Sequence, residues 1–526
     1  MSRKLLKNTV KVGGLTMVSR VLGFARDMVF ARVFGAGLGM DAFFVAFKIP
    51  NFLRRLFGEG AFSQAFVPVL SEYKACRDHE DVQALADRVA GTLLGVLLLI
   101  AVVGVLAAPV VVTIFAPGFL HDPHKFDLTA QMLRITFPYI VFISLVAFGA
   151  GILNSYGRFG VPAFSPVLLN LALIGTAVFL APHMADPVKG LAWGVFLGGV
   201  LQLALILPAL RRIRLLPRPR WGWHDSGVRK ILRLMGPAVL GSSVAQINLL
   251  LDTLIASFLI TGSVSWLYYS DRLMEFPLGV FGIALSTVIL PTLSRSHARA
   301  SREAFSQTLD WALRWVVVIG VPAALGLLIL AGPVLSTLFL SKAFDAEDVR
   351  MARLSLMAFA AGLPAFILVK VLAPGFYSRQ DTRTPVRIAV IAMVSNMAMN
   401  VAFVVPMLLL HVAGPHAGLA LATSLAAYLN AGLLYRGLRR QDAFQPQPGW
   451  GRLLLRVGVS VGVLAAVLGW GAPPLSQWLT GRAWIRAAHL LAWIVGGVVL
   501  YLVTLRLMGL RLRSLWTPPA ALEGHE

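Results

Sequence analysis

Apolar runs of roughly twenty residues recur from one end of this chain to the other, each long enough to cross a hydrocarbon core of about 30 Å. Of the 526 residues, 57% are hydrophobic and 13% charged, whereas a soluble domain carries about 25% charged residues. Lipid is therefore the main solvent. Reading the runs between polar and Pro/Gly breaks gives spans near 10–34, 41–70, 89–115, 130–154, 161–182, 190–210, 231–260 and 265–294. Six more follow near 306–340, 351–378, 384–410, 417–435, 453–474 and 484–505. The expected fold is an all-α polytopic membrane protein of about fourteen transmembrane helices.

Lys and Arg concentrate in the N-tail, the even-numbered loops and the C-tail, which by the positive-inside rule places both termini in the cytoplasm. The basic start MSRKLLKNTVKV is followed by no A-x-A-like cleavage site, so the first helix is expected to stay. Cys76 is the only cysteine, which excludes an intramolecular disulfide and a thiolate metal cluster. A net charge of +23 raises the question of nucleic acid. The densest basic loop, Arg211 to Lys230, is better explained as a cytoplasmic topology determinant facing anionic lipid, so no nucleic-acid partner is expected.

Sliding the chain on itself gives a match at an offset near 223. Phe62-Ser63 and Pro68-Val69-Leu70-Ser71 lie over Leu285-Ser286 and Pro291-Thr292-Leu293-Ser294, and Tyr156-Gly157-Arg158 lies over Tyr377-Ser378-Arg379 at an offset of 221. Two six-helix lobes are implied, at 1–222 and 223–445, with two further helices and a tail at 446–526. Six is even, so both lobes start on the same side and their pseudo-twofold axis runs along the membrane normal. Such repeats commonly hold a substrate between them.

Cations inside the spans are the informative residues, because each costs roughly 2.5–3.5 kcal/mol at a helix centre unless it meets a wet cavity or a partner. Span 1 holds Arg20, Arg26 and Asp27. The seven-residue step puts Arg20 and Asp27 on one face, while Arg26 points about 100–120° away and has no obvious partner in its own helix. In span 2, Asp41, Lys48 and Arg55 share a heptad-spaced stripe and Arg55 reaches Glu59 at i+4, so Arg54 is the cation assigned to a cavity. Pro50, Gly58 and Gly60 loosen the turns beside these charges. Span 8, the repeat partner of span 2, carries Asp271, Arg272 and Glu275 before Pro277, and pairing of Arg272 with Glu275 stays open. Arg32, Arg134, Arg233, Arg314, Arg353 and Arg456 are assigned to snorkelling or ion pairs. Arg20, Arg26, Arg54 and Arg272 are assigned to a central cationic cavity, whose forked donors suit a diphosphate.

A fainter constellation joins Asp252 in span 7, Asn396 and Asn400 at i,i+4 in span 11, and Thr423 in span 12. Its oxygens could coordinate a monovalent cation, or serve as polar glue between helices. No G-x-S-x-G elbow, P-loop or H-E-x-x-H occurs, and no enzyme is expected. His121, His124, His411 and His416 fall in predicted outside loops, where water would solvate them.

Three early blocks run Ser19-Arg20-Val21-Leu22-Gly23-Phe24-Ala25-Arg26-Asp27, then Asp41-Ala42-Phe43-Phe44-Val45-Ala46-Phe47-Lys48, then Asn51-Phe52-Leu53-Arg54-Arg55 through Gly58-Glu59-Gly60 to Phe66. With Trp266-Leu267-Tyr268-Tyr269-Ser270-Asp271-Arg272 through Pro277, and Lys370-Val371-Leu372-Ala373-Pro374-Gly375 through Asp381, they closely resemble the MurJ/MviN family of lipid II flippases. The resemblance covers nearly the whole chain. It implies the fold of the multidrug/oligosaccharidyl-lipid/polysaccharide exporter superfamily, with a lipid-tail groove formed by the two extra helices. It also implies alternating access in a bacterial inner membrane, with Arg20, Arg26, Arg54, Arg272 and Asp41 serving the lipid II headgroup.

The remaining charges, Asp27, Lys48, Arg55, Glu59, Asp271 and Glu275, are expected to support that site or its gate. No organic cofactor is implied, but use of the membrane potential is. Some members carry a sodium site that Asp252, Asn396, Asn400 and Thr423 resemble, with an Asn in place of an acidic ligand, which weakens binding. Membrane lipids and cell-wall synthesis proteins are the further partners to consider. Rival readings are a flippase for another polyprenyl-diphosphate glycan, a drug exporter of the same superfamily, a membrane enzyme acting on the same lipid, and a scaffold that transports nothing.

Overall fold

A computed structural model describes residues 3–55, 62–298 and 301–510, and no strand occurs among them. The chain starts with α1 (Arg3–Phe34), α2 (Leu38–Leu53), α3 (Ser63–Cys76), α4 (His79–Leu106), α5 (Ala108–Phe115), α6 (Pro123–Thr136) and α7 (Tyr139–Ser155). It continues with α8 (Gly160–Gly175), α9 (Lys189–Arg212), α10 (Ser226–Ala256), α11 (Ser263–Pro277), α12 (Ile283–Ala298), α13 (Arg302–Trp315) and α14 (Val321–Ile329). The last seven are α15 (Ala331–Leu338), α16 (Ala346–Tyr377), α17 (Arg383–Leu409), α18 (His416–Arg440), α19 (Trp450–Gly471), α20 (Leu475–Thr480) and α21 (Ala483–Leu507).

Among the described residues, ten helical segments are long and apolar enough to cross a membrane. With α1, the α2 and α3 pair, α10, and the α11 and α12 pair, the segments follow the fourteen spans read from hydropathy. The repeat is visible in the element bounds. Ala108–Phe115 and Ala331–Leu338 are 223 apart at both ends, as are the starts of α4 and α13 and of α8 and α17.

The chain forms two compact units, Met1–Ser265 and Trp266–Glu526. The element repeat begins again at Ser226, yet α10 packs on α3, α4 and α5 and so belongs by contact with the first unit. In that unit α1 lies on α8, α2 on α6, and α7 and α8 on α9. Phe30, Phe43, Phe66, Tyr139 and Phe148 fill the space between them. In the second unit α16 and α17 pack on α18, and α14 on α16. The two C-terminal helices belong to this unit: α19 and α21 pack on each other, α19 on α14, and α21 on α15.

Prolines inside the spans release carbonyls that must find other donors, because proline has no N–H to return to residue i−4. Pro50 releases the carbonyl of Ala46, which accepts the Thr136 hydroxyl of α6 at 3.1 Å. Pro322 releases that of Val318, which accepts the Tyr501 hydroxyl of α21 at 2.7 Å, in a cluster with Leu453, Val457 and Leu464. Thr136→Val and Tyr501→Phe should each lose about 1–3 kcal/mol, since a buried acceptor is left without a donor. A lower melting temperature in detergent is the expected reading; unchanged melting would mean that water or a local shift replaces the hydroxyl.

Candidate functional site

Of the cations assigned to a cavity from the sequence, Arg26 is the most enclosed, at 8% exposure beside Asp27 at 2%. Its Nε and Nη2 donate to Asp27 Oδ1 at 2.9 and 2.6 Å, and its Nη1 donates to Asn170 Oδ1 of α8 at 3.1 Å. The guanidinium also lies 5.5 Å from the Phe30 ring centroid. This corrects the expectation that Arg26 points away from Asp27 and has no partner in its own helix. Adjacent Cα–Cβ vectors diverge on a helix, but the guanidinium is long enough to fold back onto its neighbour. The Asn170 amide in turn donates to the Ser19 carbonyl at 3.1 Å. Arg20 sits exposed on α1.

In α2, Arg54 is half-buried and donates from Nε to Asn51 Oδ1 at 2.8 Å. Arg55 is half-buried as well, and Glu59, its expected partner, lies outside the described residues. Lys48 donates to the Thr253 hydroxyl of α10 at 2.5 Å. In the second unit Arg272 pairs with Glu275 at 2.6 Å and lies 5.1 Å from the Tyr268 ring centroid, with Asp271 half-buried beside it. The pairing left open by spacing is therefore made, at side chains 31% and 47% exposed. Arg314 bonds Asp310 at 2.6 Å, as an ion pair rather than a cavity group.

Asp41 accepts four hydrogen bonds at 1% exposure. Its Oδ2 accepts Lys125 Nζ and the Gly262 N–H, both at 2.8 Å. Its Oδ1 accepts the Ser265 N–H at 2.9 Å and the Ser265 hydroxyl at 2.6 Å. A carboxylate so placed caps the N-terminus of α11 from another helix, where orphan N–H groups and the helix dipole both favour an anion. Gly262, at φ +99°, allows the chain to turn into that cap. Lys125, 4% exposed, also lies 4.3 Å from the Phe119 ring centroid. Next to it Gly118 donates its N–H to Ser257 Oγ at 3.0 Å, and a Cβ there would stand 2.2 Å from the Ser257 carbonyl. Spacing along α2 pointed to Asp41, but nothing in the stretch His121-Asp122-Pro123-His124-Lys125 marked Lys125 as its partner.

The proposed cation ligands fall in both units. Asn396 and Asn400 are buried one turn apart on α17, which packs on α18. On α18, Thr423 donates its hydroxyl to the Leu419 carbonyl at 3.0 Å, which leaves its lone pairs able to accept. Asp252, in the first unit, accepts from Asn248 at 3.5 Å. Such neutral and acidic oxygens suit a hard monovalent cation, and no group of three His, Cys, Asp or Glu able to hold a metal occurs among the described residues. One histidine departs from expectation. His416 is fully buried, its Nε2 lies 3.0 Å from the Met351 carbonyl, and its ring lies against Trp266, whose Nε1 donates to Asp348 at 2.8 Å.

A family model described as lipid II flippase MurJ matches residues 30–488. The chain belongs to the MurJ family. It is 48% identical to the probable lipid II flippase MurJ of Vibrio cholerae serotype O1, over 98% of each chain. It is 44% identical to the lipid II flippase MurJ of Burkholderia cenocepacia, over 96% of this chain and 98% of that one. Among solved structures, a lipid II flippase MurJ in an inward closed conformation matches with a TM-score of 0.79 at 26% identity, covering 94% of this chain and 98% of that one. An inward-facing multidrug resistance MATE family transporter of the MOP superfamily matches with a TM-score of 0.63 at 15% identity, over 82% of this chain and 98% of that one, a likeness of fold. The expected family and fold class are thus borne out, and the chain is a multi-pass inner-membrane protein with transporter relatives.

Proposed function

We propose that the chain flips lipid II, the undecaprenyl-diphosphate-linked disaccharide-pentapeptide, from the cytoplasmic to the periplasmic leaflet. Both termini lie in the cytoplasm in this reading. The observation that carries it is the likeness to lipid II flippases over 98% of the chain, charged helices included. A transporter of a different glycan lipid would have no reason to keep so much of one family's length.

Arg26, Arg54 and Arg272 bind the diphosphate, with Arg20 at the rim. Their present partners order the events. Arg54, whose Nε donates to the neutral amide of Asn51, gains a charged phosphate oxygen, which makes a stronger bond than that amide. Arg272 leaves a half-exposed Glu275, a pair worth about 0–1 kcal/mol. Arg26 keeps its buried bond to Asp27, and its Nη1, which donates to the neutral amide of Asn170, is the donor it turns to the diphosphate. The Asp41 and Lys125 cap closes the periplasmic end, and export of the headgroup requires the start of α11 to leave Asp41. An inside-negative potential, worth about 2.3 kcal/mol per charge per 100 mV, drives the anion outward. Asn396, Asn400, Thr423 and Asp252 are the groups that would hold sodium, supplying hard oxygen ligands.

The test is depletion of the chain in its host, with lipid II accessible outside the inner membrane as the readout. External lipid II should fall while the inner pool rises, and recover on re-expression. An unchanged external pool would overturn the assignment of substrate.

A further inference from the structure

The hexapeptide Pro217-Arg218-Pro219-Arg220-Trp221-Gly222 recurs as Pro446-Gln447-Pro448-Gly449-Trp450-Gly451, after α9 and after α18. Both copies are straps tied to the same positions of the repeated helices. In the first, Gln83 donates to the Leu216 carbonyl at 3.0 Å, and Asp87 accepts the Arg218 N–H at 2.8 Å. In the second, Ser306 donates to the Gln445 carbonyl at 2.9 Å, and Asp310 accepts the Gln447 N–H at 2.9 Å. Gln83 and Ser306 are 223 apart, as are Asp87 and Asp310.

From this shared base the copies diverge. In the second strap Trp450 turns inward and donates Nε1 to Asp310 at 2.7 Å, while Arg314 of α13 bonds the Pro448 carbonyl at 2.8 Å and lies 5.5 Å from the Trp450 ring centroid. The position of Arg314 is taken in the first half by Gly91, where a Cβ would stand 2.2 Å from the Arg220 carbonyl. The cations have moved onto the strap itself. Arg211, Arg212, Arg214, Arg218 and Arg220 are all exposed, and the side chains of Arg218 and Arg220 make no hydrogen bond or ion pair among the described residues. Trp221 lies over Gly95 of α4 at 64% exposure and stacks on Trp223, 42% exposed, at 6.1 Å.

Depth identifies what meets this surface. Directly past Gly95, α4 turns Leu98, Leu99, Val102 and Val103 outward at 48–65% exposure, a stripe that only hydrocarbon would cover. One turn is about 5.4 Å, so the tryptophan pair sits at the edge of the hydrocarbon and the arginines at headgroup depth.

We infer that the Arg211–Trp223 strap is a docking site for anionic phospholipid, with Arg218 and Arg220 on the headgroup phosphate and Trp221 and Trp223 at the acyl boundary. That this is the cytoplasmic leaflet rests on the orientation proposed above.

The test uses the purified full chain and native mass spectrometry with added phosphatidylglycerol or phosphatidylcholine. The variant Arg218→Gln/Arg220→Gly gives the first strap the residues of the second and leaves its backbone bonds to Asp87 in place. Phosphatidylglycerol binding should weaken about 30-fold and phosphatidylcholine binding should stay unchanged. On the unmodified chain the preference for phosphatidylglycerol should fall as salt rises. Equal binding by variant and parent, or a parent preference that salt does not touch, would overturn the site. So would a parent with no preference, which would leave the arginines to an acidic protein. Orientation is read separately. Cys76 is exposed at the end of α3, and nearby His79 Nε2 lies 3.2 Å from the Arg214 carbonyl. An impermeant maleimide should label it in inside-out vesicles and not in intact cells; the reverse would overturn the leaflet and not the lipid preference.

Discussion

Asp41→Ala is expected to destabilise the chain by about 3–5 kcal/mol, because it strands Lys125 as a buried cation. It also takes the acceptor away from the Gly262 and Ser265 N–H groups. Function should be lost with it, since the start of α11 no longer has an anion to return to when the periplasmic end closes. The double variant Asp41→Ala/Lys125→Met separates charge from shape. Removing both ions of a buried pair is often close to neutral, so stability should return in large part while flipping stays impaired. Melting in detergent reads the first effect and external lipid II the second. A single variant as stable as the parent, or a double variant as damaged as the single, would mean that the pair does not hold this end.

The second large effect is graded across the arginines. Arg26→Ala leaves Asp27 buried without its forked partner and should lower both stability, again by about 3–5 kcal/mol, and flipping. Arg26→Lys keeps the charge but cannot span Asp27 and Asn170 together, so it should rescue in part. Arg272→Ala breaks a half-exposed pair and should leave melting nearly unchanged. Its flipping should still drop by roughly 10–100-fold, as expected for one lost bond to a charged phosphate at about 1.5–3 kcal/mol. Arg54→Ala is expected to behave like Arg272→Ala in flipping.

Hydropathy made the spans legible because a membrane helix must be apolar over a fixed length, and the 223-residue repeat followed from residues such as Pro68 and Pro291, which lie inside α3 and α12. The partners of the charges were far less legible. Asn170 reaches Arg26 from 144 residues away and Lys125 reaches Asp41 from 84, separations over which helical spacing carries no information. Where spacing did apply it gave Arg272 and Glu275 as a candidate pair, but it misjudged Arg26 by treating its side chain as no longer than its Cβ vector. The sequence expectation of a solvated His416 fails because Trp266 and Met351, which lie against it, are distant in the chain. The duplicated strap was written in the sequence all along. It recurs at 229 rather than 223, so a slide at one offset passes over it.

The central claim is that guanidinium groups in the spans carry the headgroup. The host should be depleted of the native chain and complemented with Arg26→Ala, Arg54→Ala or Arg272→Ala at matched membrane levels, and lipid II accessible outside the inner membrane scored. Loss of external lipid II in all three, with Arg272→Ala close to the parent in stability, is the predicted result. Normal external lipid II in the stable variants would reduce these arginines to structural pairs and contradict the cationic headgroup site.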